Sequence, residues 1–451
     1  MAAHTLRVTT GDAPVGTLSF ESREERYGFD YDAAWRQRDD AFPLSPHIPL
    51  SGAVAAPGAV QRFLQNLLPE GRALDVASIV NQISKENVFG LVRVLGKEPV
   101  GALSFAPPSD LPGAPVEAAP PLRRPISTEE LSQRIRERDL VDFPVWDGKV
   151  RLSVAGYQDK LQVLAEGARL ALADGALSST HILKPESRNA VTPHMVANEH
   201  FCMTLAARLG LKVAPVEIRR LPEPILLIER FDRAVSIDPA DGETVTAVRR
   251  RHVIDGCQAL DLPVSFKYER NFGNVADVRN IREGVSFEKL FALEPYFDNP
   301  LSTRTFLVRW ALLHVLIGNS DAHGKNISFF MRASNLEPAP LYDLVSVNAY
   351  GEHVEQDMAM AYGDVFRLQE LTPYALADFA QRTRTQPRFL EREIVRMARQ
   401  ASALAPELAR AEVYVGEERA LVEAVARFVV AQSERLLKLA PEVPKVDRSL
   451  F

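Results

Sequence analysis

The sequence predicts an α+β protein with a strand-rich first part and a helix-rich second part. Before about residue 250, short runs that alternate apolar and polar residues are separated by turn residues, which is typical of antiparallel strands. After that point apolar residues recur at helical spacing. At 451 residues the chain is also too long for one compact core. We therefore expect two lobes with a cleft between them.

The first 106 residues are predicted to form an N-terminal subdomain. Residues 5–35 have the alternation and the glycine breaks of short strands and hairpins. Residues 58–95 carry helical periodicity, and residues 100–105 have the composition of a strand. Residues 107–126 are rich in proline and alanine, a composition typical of linkers, so we place the first domain boundary there.

A second domain is predicted over residues 127–249. Ser127 followed by Glu130 is a capping-box pattern that opens a helix. After it we expect strands at 150–154, 161–165, 169–173 and 180–184, a helix at 195–209, and strands at 213–219 and 225–229. This order indicates a small antiparallel sheet with few helices.

Residues 250–451 are predicted to form a helical domain. The segments with helical periodicity are 252–260, 286–293, 302–317, 372–383, 391–403 and 416–439. The stretch 302–317 is apolar nearly all round, so we expect it to be a buried central helix.

Composition and charge argue against several classes of protein. The chain is 46% hydrophobic and 25% charged, as is usual for globular proteins, and its net charge of −6 argues against coating nucleic acid by bulk electrostatics. Cys202 and Cys257 are predicted to be core thiols rather than disulfide or metal ligands. No signal-peptide pattern is evident, and the longest apolar stretch is too short to span a bilayer. We expect a cytoplasmic protein without a membrane partner.

The segment 318–326, Gly-Asn-Ser-Asp-Ala-His-Gly-Lys-Asn, follows the predicted central helix. Asp321 precedes Asn326 by five positions, and Asp343 follows Asn326 by seventeen. This order is the working set of a protein-kinase catalytic loop, in which the first Asp takes the hydroxyl proton and the other two residues hold magnesium. Alone, the first pair would fit an ordinary polar turn better. The second Asp at this distance, together with the upstream residues described next, reverses that preference and indicates phosphoryl transfer from ATP.

The predicted second domain offers the groups that a kinase needs around its nucleotide. Lys184 ends an apolar strand, where a lysine for the ATP phosphates is expected. Residues 153–160 form a turn between two strands, in the place of a phosphate-covering loop, although the pattern is neither Gly-x-Gly-x-x-Gly nor a Walker motif. Glu229 and Phe231 end the last strand and are candidates for framing adenine; an edge strand with a core Phe is the alternative.

Taken in order, these pieces resemble the HipA family of bacterial serine/threonine kinases, the toxins of type II toxin–antitoxin pairs. The resemblance covers almost the full chain. The segments that carry it are 42–50, 63–71, 153–160, 182–184, 198–199, 229–232, 267–269, 317–326 and 341–343. So many ordered matches are more specific than any single motif.

The resemblance implies a two-lobed protein-kinase-like fold, with antiparallel sheets and an N-terminal subdomain in the N-lobe and an all-α C-lobe. It implies that Asp321, Asn326 and Lys184 are catalytic, and that Asn326 and Asp343 bind Mg²⁺. The residues that it places around ATP are Ser153, Val154, Ala155, Gly156, Tyr157, Gln158, Lys184, Glu229, Phe231, His323, Tyr342 and Asp343.

The resemblance also implies regulation and partners. In relatives, the serine that matches Ser153 is autophosphorylated, and its loop then leaves the ATP site, because a phosphate dianion cannot easily share an anion pocket with ATP. The implied partners are a small helix-turn-helix antitoxin of the HipB kind, operator DNA reached through that complex, and a protein substrate. In characterised relatives that substrate is a translation component, chiefly an aminoacyl-tRNA synthetase, and its phosphorylation halts growth.

Two alternatives stay open at this point. The chain could be a catalytically idle scaffold that serves only as a co-repressor with its antitoxin, but the intact magnesium ligands argue against this. It could also be a small-molecule phosphotransferase of the antibiotic-kinase type, which shares the Asp-Asn-Asp order. The unit before residue 107 and the Ser153 loop count against that second alternative.

Overall fold

The computed structural model describes residues 4–52, 55–108, 120–151, 158–333, 335–447, 449 and 451. Helices and antiparallel sheets are both present, which confirms the α+β class. Spatial clustering divides the chain into two compact units. The first unit comprises Met1–Pro185, Arg219–Ile254 and Phe329–Leu336, and the second comprises Glu186–Ile218, Asp255–Ser328 and Glu337–Phe451. The domain boundaries predicted from composition, at residues 106, 126 and 249, stay predictions.

The secondary structure follows the expected order along the chain. The strands are β1 (His4–Thr10), β2 (Ala13–Glu21), β3 (Arg26–Tyr31), β4 (Ser104–Ala106), β5 (Leu122–Ile126), β6 (Val145–Trp146), β7 (Lys149–Val150), β8 (Leu161–Glu166), β9 (Arg169–Asp174), β10 (His181–Pro185), β11 (Val216–Arg220), β12 (Pro224–Glu229), β13 (Arg233–Ile237), β14 (Val245–Arg250), β15 (Val253–Asp255), β16 (Ser328–Arg332) and β17 (Asn335–Pro338). The α-helices are α1 (Ala33–Arg36), α2 (Ala59–Leu67), α3 (Gly71–Asn81), α4 (Val88–Leu95), α5 (Thr128–Arg136), α6 (Met195–Arg208), α7 (Gly256–Ala259), α8 (Phe287–Ala292), α9 (Pro300–Ile317), α10 (Pro373–Arg382), α11 (Pro387–Leu408) and α12 (Glu417–Leu439).

The first unit starts with a four-stranded sheet of order β3-β2-β1-β4. The alternation of β1 buries Leu6 and Val8, and Leu6 pairs with Leu18 of β2. Gly16 is required in β2, because a Cβ there would lie 2.3 Å from the Asp30 carbonyl oxygen. The hairpins predicted over residues 5–35 are therefore confirmed.

A six-stranded sheet has the order β11-β12-β10-β8-β9-β5. The pairs from β12 to β5 are antiparallel, and α5 packs Leu131 and Ile135 against the sheet residues Leu161 and Val163. Ser127 caps α5 as predicted, since its hydroxyl accepts from Glu130 N at 3.1 Å. Residues 122–126, the end of the predicted linker, instead form strand β5, in which Leu122 pairs with Asp174 and Ile126 with Leu170 of β9. Residues 109–119 lie outside the described residues, as does most of the predicted strand 150–154.

A buried ionic cluster anchors the turn between β12 and β13 in the first unit. Arg230 donates two hydrogen bonds to the Asp232 carboxylate, at 3.0 and 2.8 Å, and Arg233 donates a third at 2.8 Å. Gly101 N donates to the same carboxylate at 2.8 Å, and Glu98 lies 3.3 Å from Arg233. The two guanidinium groups hold the pKa of Asp232 well below its usual range despite its burial. The cluster thus joins the loop around residue 100 to the turn after β12.

The second unit is built around α9. Asn299 caps its first turn by accepting from Ser302 N at 3.0 Å, Pro300 occupies the first helical position, and the residues from Leu312 to Ile317 are all buried. Helices α11 and α12 pack against α9. The apolar pattern over 302–317 predicted this central helix correctly.

The predicted helix 252–260 is wrong in its first half. Val253 and Ile254 are β-branched and belong to β15, and Asp255 then ends the strand by opening α7 in a capping box with Gln258. Strands β16 and β17 complete a sheet of order β15-β16-β17. The part after residue 250 is therefore mainly helical rather than all-α.

Two further predictions concern the thiols and the membrane. Cys202 and Cys257 are both buried, as predicted for core residues. Within the part of the chain that the structure describes, every helix is too short or too polar to cross a bilayer.

Candidate active site

The candidate catalytic loop starts where α9 ends. Gly318 closes the helix in the left-handed conformation, at φ 65°, and a Cβ there would lie 2.6 Å from the Phe428 ring. Asn348 N donates to the Gly318 carbonyl at 3.0 Å, and Asn319 N donates to the His314 carbonyl at 3.0 Å. The loop therefore leaves the buried helix in one fixed direction.

Hydrogen bonds within the loop join Asp321 to Asn326. The Asn319 side chain accepts from Asp321 N at 3.0 Å. The Asp321 carbonyl accepts from His323 N at 2.9 Å and from Asn326 Nδ2 at 2.8 Å. Since the Asn326 amide NH₂ is bound to the loop backbone, its Oδ1 is the atom suited to a cation.

Tyr268 holds the Asp321 carboxylate. Its hydroxyl donates to Asp321 Oδ1, and its ring stands edge-on to His323 with ring centroids 5.0 Å apart. Sequence reasoning noted residues 267–269 only as part of the family pattern and gave Tyr268 no role. The contact joins residues 53 positions apart, so no local periodicity could have indicated it.

His323 is a buried, neutral imidazole. Loss of solvent lowers its pKa far below the usual value, and the nearby positive charge of Lys267 lowers it further. Its Nδ1 accepts from Lys325 N at 3.2 Å, which leaves the ring proton on Nε2. His323 therefore offers a neutral polar surface rather than a cation.

The end of the loop is fixed by Lys325 and Tyr342. Lys325 Nζ lies 2.6 Å from Asp255 Oδ2, and the lysine side chain is almost fully buried. The Tyr342 hydroxyl donates to the Lys325 carbonyl at 2.6 Å and shares a hydrogen bond of 2.7 Å with Ser328 Oγ. Burial raises the pKa of Tyr342 far above its usual value, so Tyr342 stays protonated.

Asp343 sits in a strained backbone position next to this anchor. Its φ is 56°, in the left-handed region that only a few per cent of non-glycine residues adopt. Leu341 N donates to the Lys212 carbonyl at 2.8 Å, and Asn198 of α6 accepts from Ser346 N at 2.8 Å, so the chain is held on both sides. The negative charge of Asp343 acts on His323, which brings this carboxylate into the neighbourhood of the loop. Strain of this kind is common at functional sites.

A cavity of about 430 Å³ opens beside Asp321 within the second unit. Its walls include Tyr268, Arg270, Asn271, Ser320 and Glu355. The volume falls within the range of about 300–1,000 Å³ that is usual for ligand sites.

The first unit contains the other predicted nucleotide residues. Lys184 is buried on β10, between β8 and β12. Glu229 is exposed at the end of β12, and the partly buried Phe231 makes an edge contact with Phe330, with centroids 6.1 Å apart. Strand β12 has a neighbour on each side, so the edge-strand alternative is wrong. The convergence of Lys184 with Asp321 and Asp343 on one nucleotide stays a prediction.

The predicted phosphate loop is only partly described. Ser153, Val154, Ala155, Gly156 and Tyr157 lie outside the described residues, and Gln158 is partly buried where the description resumes.

The described residues include no cluster of three or more His, Cys, Asp or Glu side chains that could hold a metal ion. Magnesium in phosphoryl-transfer sites usually takes only one or two protein ligands together with the phosphates and water. An Asn oxygen and one carboxylate, as offered by Asn326 and Asp343, are a donor set of that kind.

Two family models cover most of the sequence. A model described as the HipA N-terminal domain matches residues 6–106, and one described as the HipA-like C-terminal domain matches residues 152–405. The serine/threonine-protein kinase toxin HipA of Shewanella oneidensis is 41% identical over 446 residues, which are 98% of each chain. The chain belongs to the HipA family.

Further comparisons agree with this assignment. A putative kinase of Sinorhizobium fredii, Y4mE, is 33% identical over 387 residues, or 84% of this chain and 86% of that one. The solved complex of the Shewanella oneidensis toxin–antitoxin proteins HipA and HipB with their operator DNA contains a chain that matches with a TM-score of 0.85. That match has 41% identity and covers 98% of this chain and 100% of the other. The HipA-family chain thus has the kinase-like fold and is a protein kinase.

Proposed function

We propose that this HipA-family protein is an ATP- and Mg²⁺-dependent serine/threonine kinase that acts as the toxin of a HipBA-type pair. The observation that carries the proposal is the single hydrogen-bonded loop that joins Asp321 to Asn326. Tyr342 ties the same loop to the segment of Asp343. A catalytic base and two oxygen donors for a cation in this order are the parts that phosphoryl transfer requires.

Asp321 takes the proton of the acceptor hydroxyl in this proposal. The hydroxyl oxygen then forms a bond to the γ-phosphorus as the bond to the β,γ-bridging oxygen breaks, and ADP leaves. Asn326 and Asp343 would hold Mg²⁺, which would neutralise charge on the phosphates, and Lys184 would bind the phosphates. The residues 153–158 cover the nucleotide, Glu229 and Phe231 frame adenine, and His323 and Tyr342 line the pocket.

The proposed partners rest on family likeness. The Shewanella oneidensis relative is described in a complex with HipB and operator DNA, and that likeness over nearly the whole chain supports a HipB-like helix-turn-helix antitoxin here. Operator DNA would be reached through the antitoxin complex. The protein substrate is proposed to be a translation component such as an aminoacyl-tRNA synthetase, which places the kinase in the cytoplasm.

Radiolabelled ATP tests the chemistry directly. We expect the purified wild type with Mg²⁺ to label itself at Ser153, and Asp321→Asn to lose that label, because an amide cannot accept the hydroxyl proton. Asp39→Asn, an exposed carboxylate removed in the same way, is the matched control and keeps the label. Ser153 labelling that survives Asp321→Asn would remove Asp321 from its proposed role.

Growth assays separate the toxin from an idle scaffold. We expect Asp343→Ala to abolish growth arrest while the variant still binds its antitoxin. Growth arrest that persists in Asp343→Ala would support the scaffold alternative. Phosphoproteomics after brief induction, comparing wild type with Asp321→Gln, identifies the protein substrate.

A further inference from the structure

The segment 270–283 is a loop with a fixed base. Glu269 N donates to the Ala359 carbonyl at 3.0 Å, Gly284 N donates to the Glu269 carbonyl at 3.1 Å, and Val285 N donates to the Phe266 carbonyl at 2.8 Å. Arg282 Nε also donates to Glu269 Oε1 at 2.6 Å. Gly284 is required here, because a Cβ would lie 1.7 Å from the Tyr268 carbonyl oxygen. The base of the loop is therefore held where Tyr268 meets Asp321.

The rest of this loop exposes apolar side chains to solvent. Phe272 is 57% exposed, Val275 is 67% exposed and Ile281 is 37% exposed. Single exposed apolar residues are ordinary, but several on one loop at the mouth of a cavity indicate a contact surface. Asn271, Gly273 and Asn274 of the same loop line the cavity that contains Asp321. The exposed Phe272 and Val275 are thus immediate neighbours of its wall.

The charged residues that line the cavity are mostly acidic. Asp321, Glu355 and Asp357 are among its lining residues, whereas Arg270 is its one basic lining residue in the described part of the chain. Arg270 is itself paired with Asp357 at 2.8 Å. An acidic side chain beside the acceptor hydroxyl would therefore meet like charge, and a neutral or basic one would not.

We propose that the loop 270–283 is the docking surface for the acceptor segment of the protein substrate, with Phe272 and Val275 as specificity-determining residues. The proposal rests on the kinase function proposed above. The ligand of this surface is a protein segment, because Asp321, the proposed base, lines the adjacent cavity. That cavity must therefore admit the serine or threonine hydroxyl that Asp321 deprotonates. The acceptor segment that fits this loop carries an apolar side chain close to its serine or threonine. It has no acidic residue next to that serine or threonine.

The test is quantitative phosphoproteomics after brief induction of the full-length protein, comparing wild type with the double variant Phe272→Ala/Val275→Ala. The readout is the phosphate on other proteins relative to the phosphate on Ser153. We expect this ratio to fall about tenfold in the double variant, as is reasonable for the loss of two apolar contacts. The wild-type acceptor sites should have apolar neighbours and lack adjacent acids. Ile79→Ala/Val80→Ala, exposed apolar residues of α3, is the matched control with an unchanged ratio.

The outcomes separate this inference from the proposed function. A wild type that labels neither Ser153 nor any other protein overturns the kinase proposal itself. An unchanged ratio in the double variant overturns the docking surface and leaves the kinase intact. The docking surface is equally excluded if the wild type labels only Ser153, or if its acceptor sites are predominantly acidic. The melting temperature of the purified double variant, which changes exposed residues only, should match that of wild type.

Discussion

Tyr268 is the side chain that constrains the candidate base most directly. Its hydroxyl donates to Asp321 Oδ1 while its ring packs edge-on against the neutral His323. A hydrogen bond to one carboxylate oxygen fixes the rotation of the carboxyl group and so directs the other oxygen. Tyr268 is therefore a positioning residue, since it acts on the substrate through Asp321.

Removal of this hydroxyl should slow phosphoryl transfer without weakening nucleotide binding. Tyr268→Phe keeps the ring against His323 but loses the hydrogen bond, so we expect the rate of Ser153 phosphorylation to fall about tenfold, in line with a hydrogen bond to a charged group. The KM for ATP should stay within about twofold of wild type. Tyr374→Phe, at an exposed tyrosine, is the control, and an equal rate in wild type and Tyr268→Phe would contradict the positioning role.

The proposed binding of magnesium by Asp343 can be tested with a substitution that suits its left-handed backbone. Asn tolerates this conformation almost as well as Asp, so Asp343→Asn should keep the fold and lose only the negative charge. We expect the Mg²⁺ concentration for half-maximal phosphorylation to rise about tenfold or more, with partial recovery at high Mg²⁺. Asp261→Asn, another Asp at φ 56°, is the control for the backbone. An unchanged Mg²⁺ requirement would argue against Asp343 as a ligand.

Secondary structure was predictable wherever one local pattern dominated. The apolar run of α9 and the Ser127 cap of α5 were read correctly, because burial on all sides and a capping side chain leave a direct mark on the sequence. The segment 252–260 was misread, since two β-branched residues and a four-residue helix are too short to show a period. Strand β5 was missed because the composition of the preceding segment masked it.

For the candidate site, only the part that forms a linear motif could be predicted from the sequence. The order of Asp321, Asn326 and Asp343 is a linear motif, and the sequence contains it outright. The contacts of Tyr268 with Asp321 and of Lys325 with Asp255 depend on tertiary folding between distant segments. No spacing rule connects such residues, so they could be found only from the structure.

The ionic cluster after β12 should dominate the stability of its turn. Asp232→Asn leaves two buried guanidinium groups without their shared anion, and we expect a loss of about 3 kcal/mol in the free energy of unfolding. Urea denaturation of the full chain measures it, with a lower midpoint as the expected result. Asp40→Asn breaks the exposed pair with Arg38 and should change little. Equal midpoints for the two variants would show that the cluster is not stabilising.

Three buried histidines and the partly buried His200 make stability depend on pH. Burial lowers the pKa of His200 and His252 to about 4, that of His314 to about 3, and that of His323 far below its usual value. Below about pH 6.5 the unfolded chain therefore binds protons that the folded chain does not. Stability is fully present above that pH and is lost progressively as the pH falls towards about 4.

Melting temperature as a function of pH checks this linkage. We expect the melting temperature to fall steadily from pH 6.5 to pH 4.5. Each histidine that stays neutral in the folded chain should lower the free energy of unfolding by up to about 2.7 kcal/mol at pH 4.5. His314→Leu should reduce the fall in melting temperature between pH 6.5 and pH 4.5. It should also stabilise the protein at pH 7, because neither ring nitrogen of His314 has a hydrogen-bond partner among the described residues. A slope unaltered by His314→Leu would contradict the account.

Residues 329–336 belong to the first unit, although most of that unit lies before residue 255. Because translation proceeds from the amino terminus, the ribosome must pass the codons for Asp321 and Asn326 before the first unit can close. A nascent chain therefore cannot complete the first unit until residue 336 has been made, and premature termination before residue 329 leaves both units unfinished. For a kinase proposed to arrest the growth of the cell that makes it, a chain that stops before residue 329 would thus lack part of each unit.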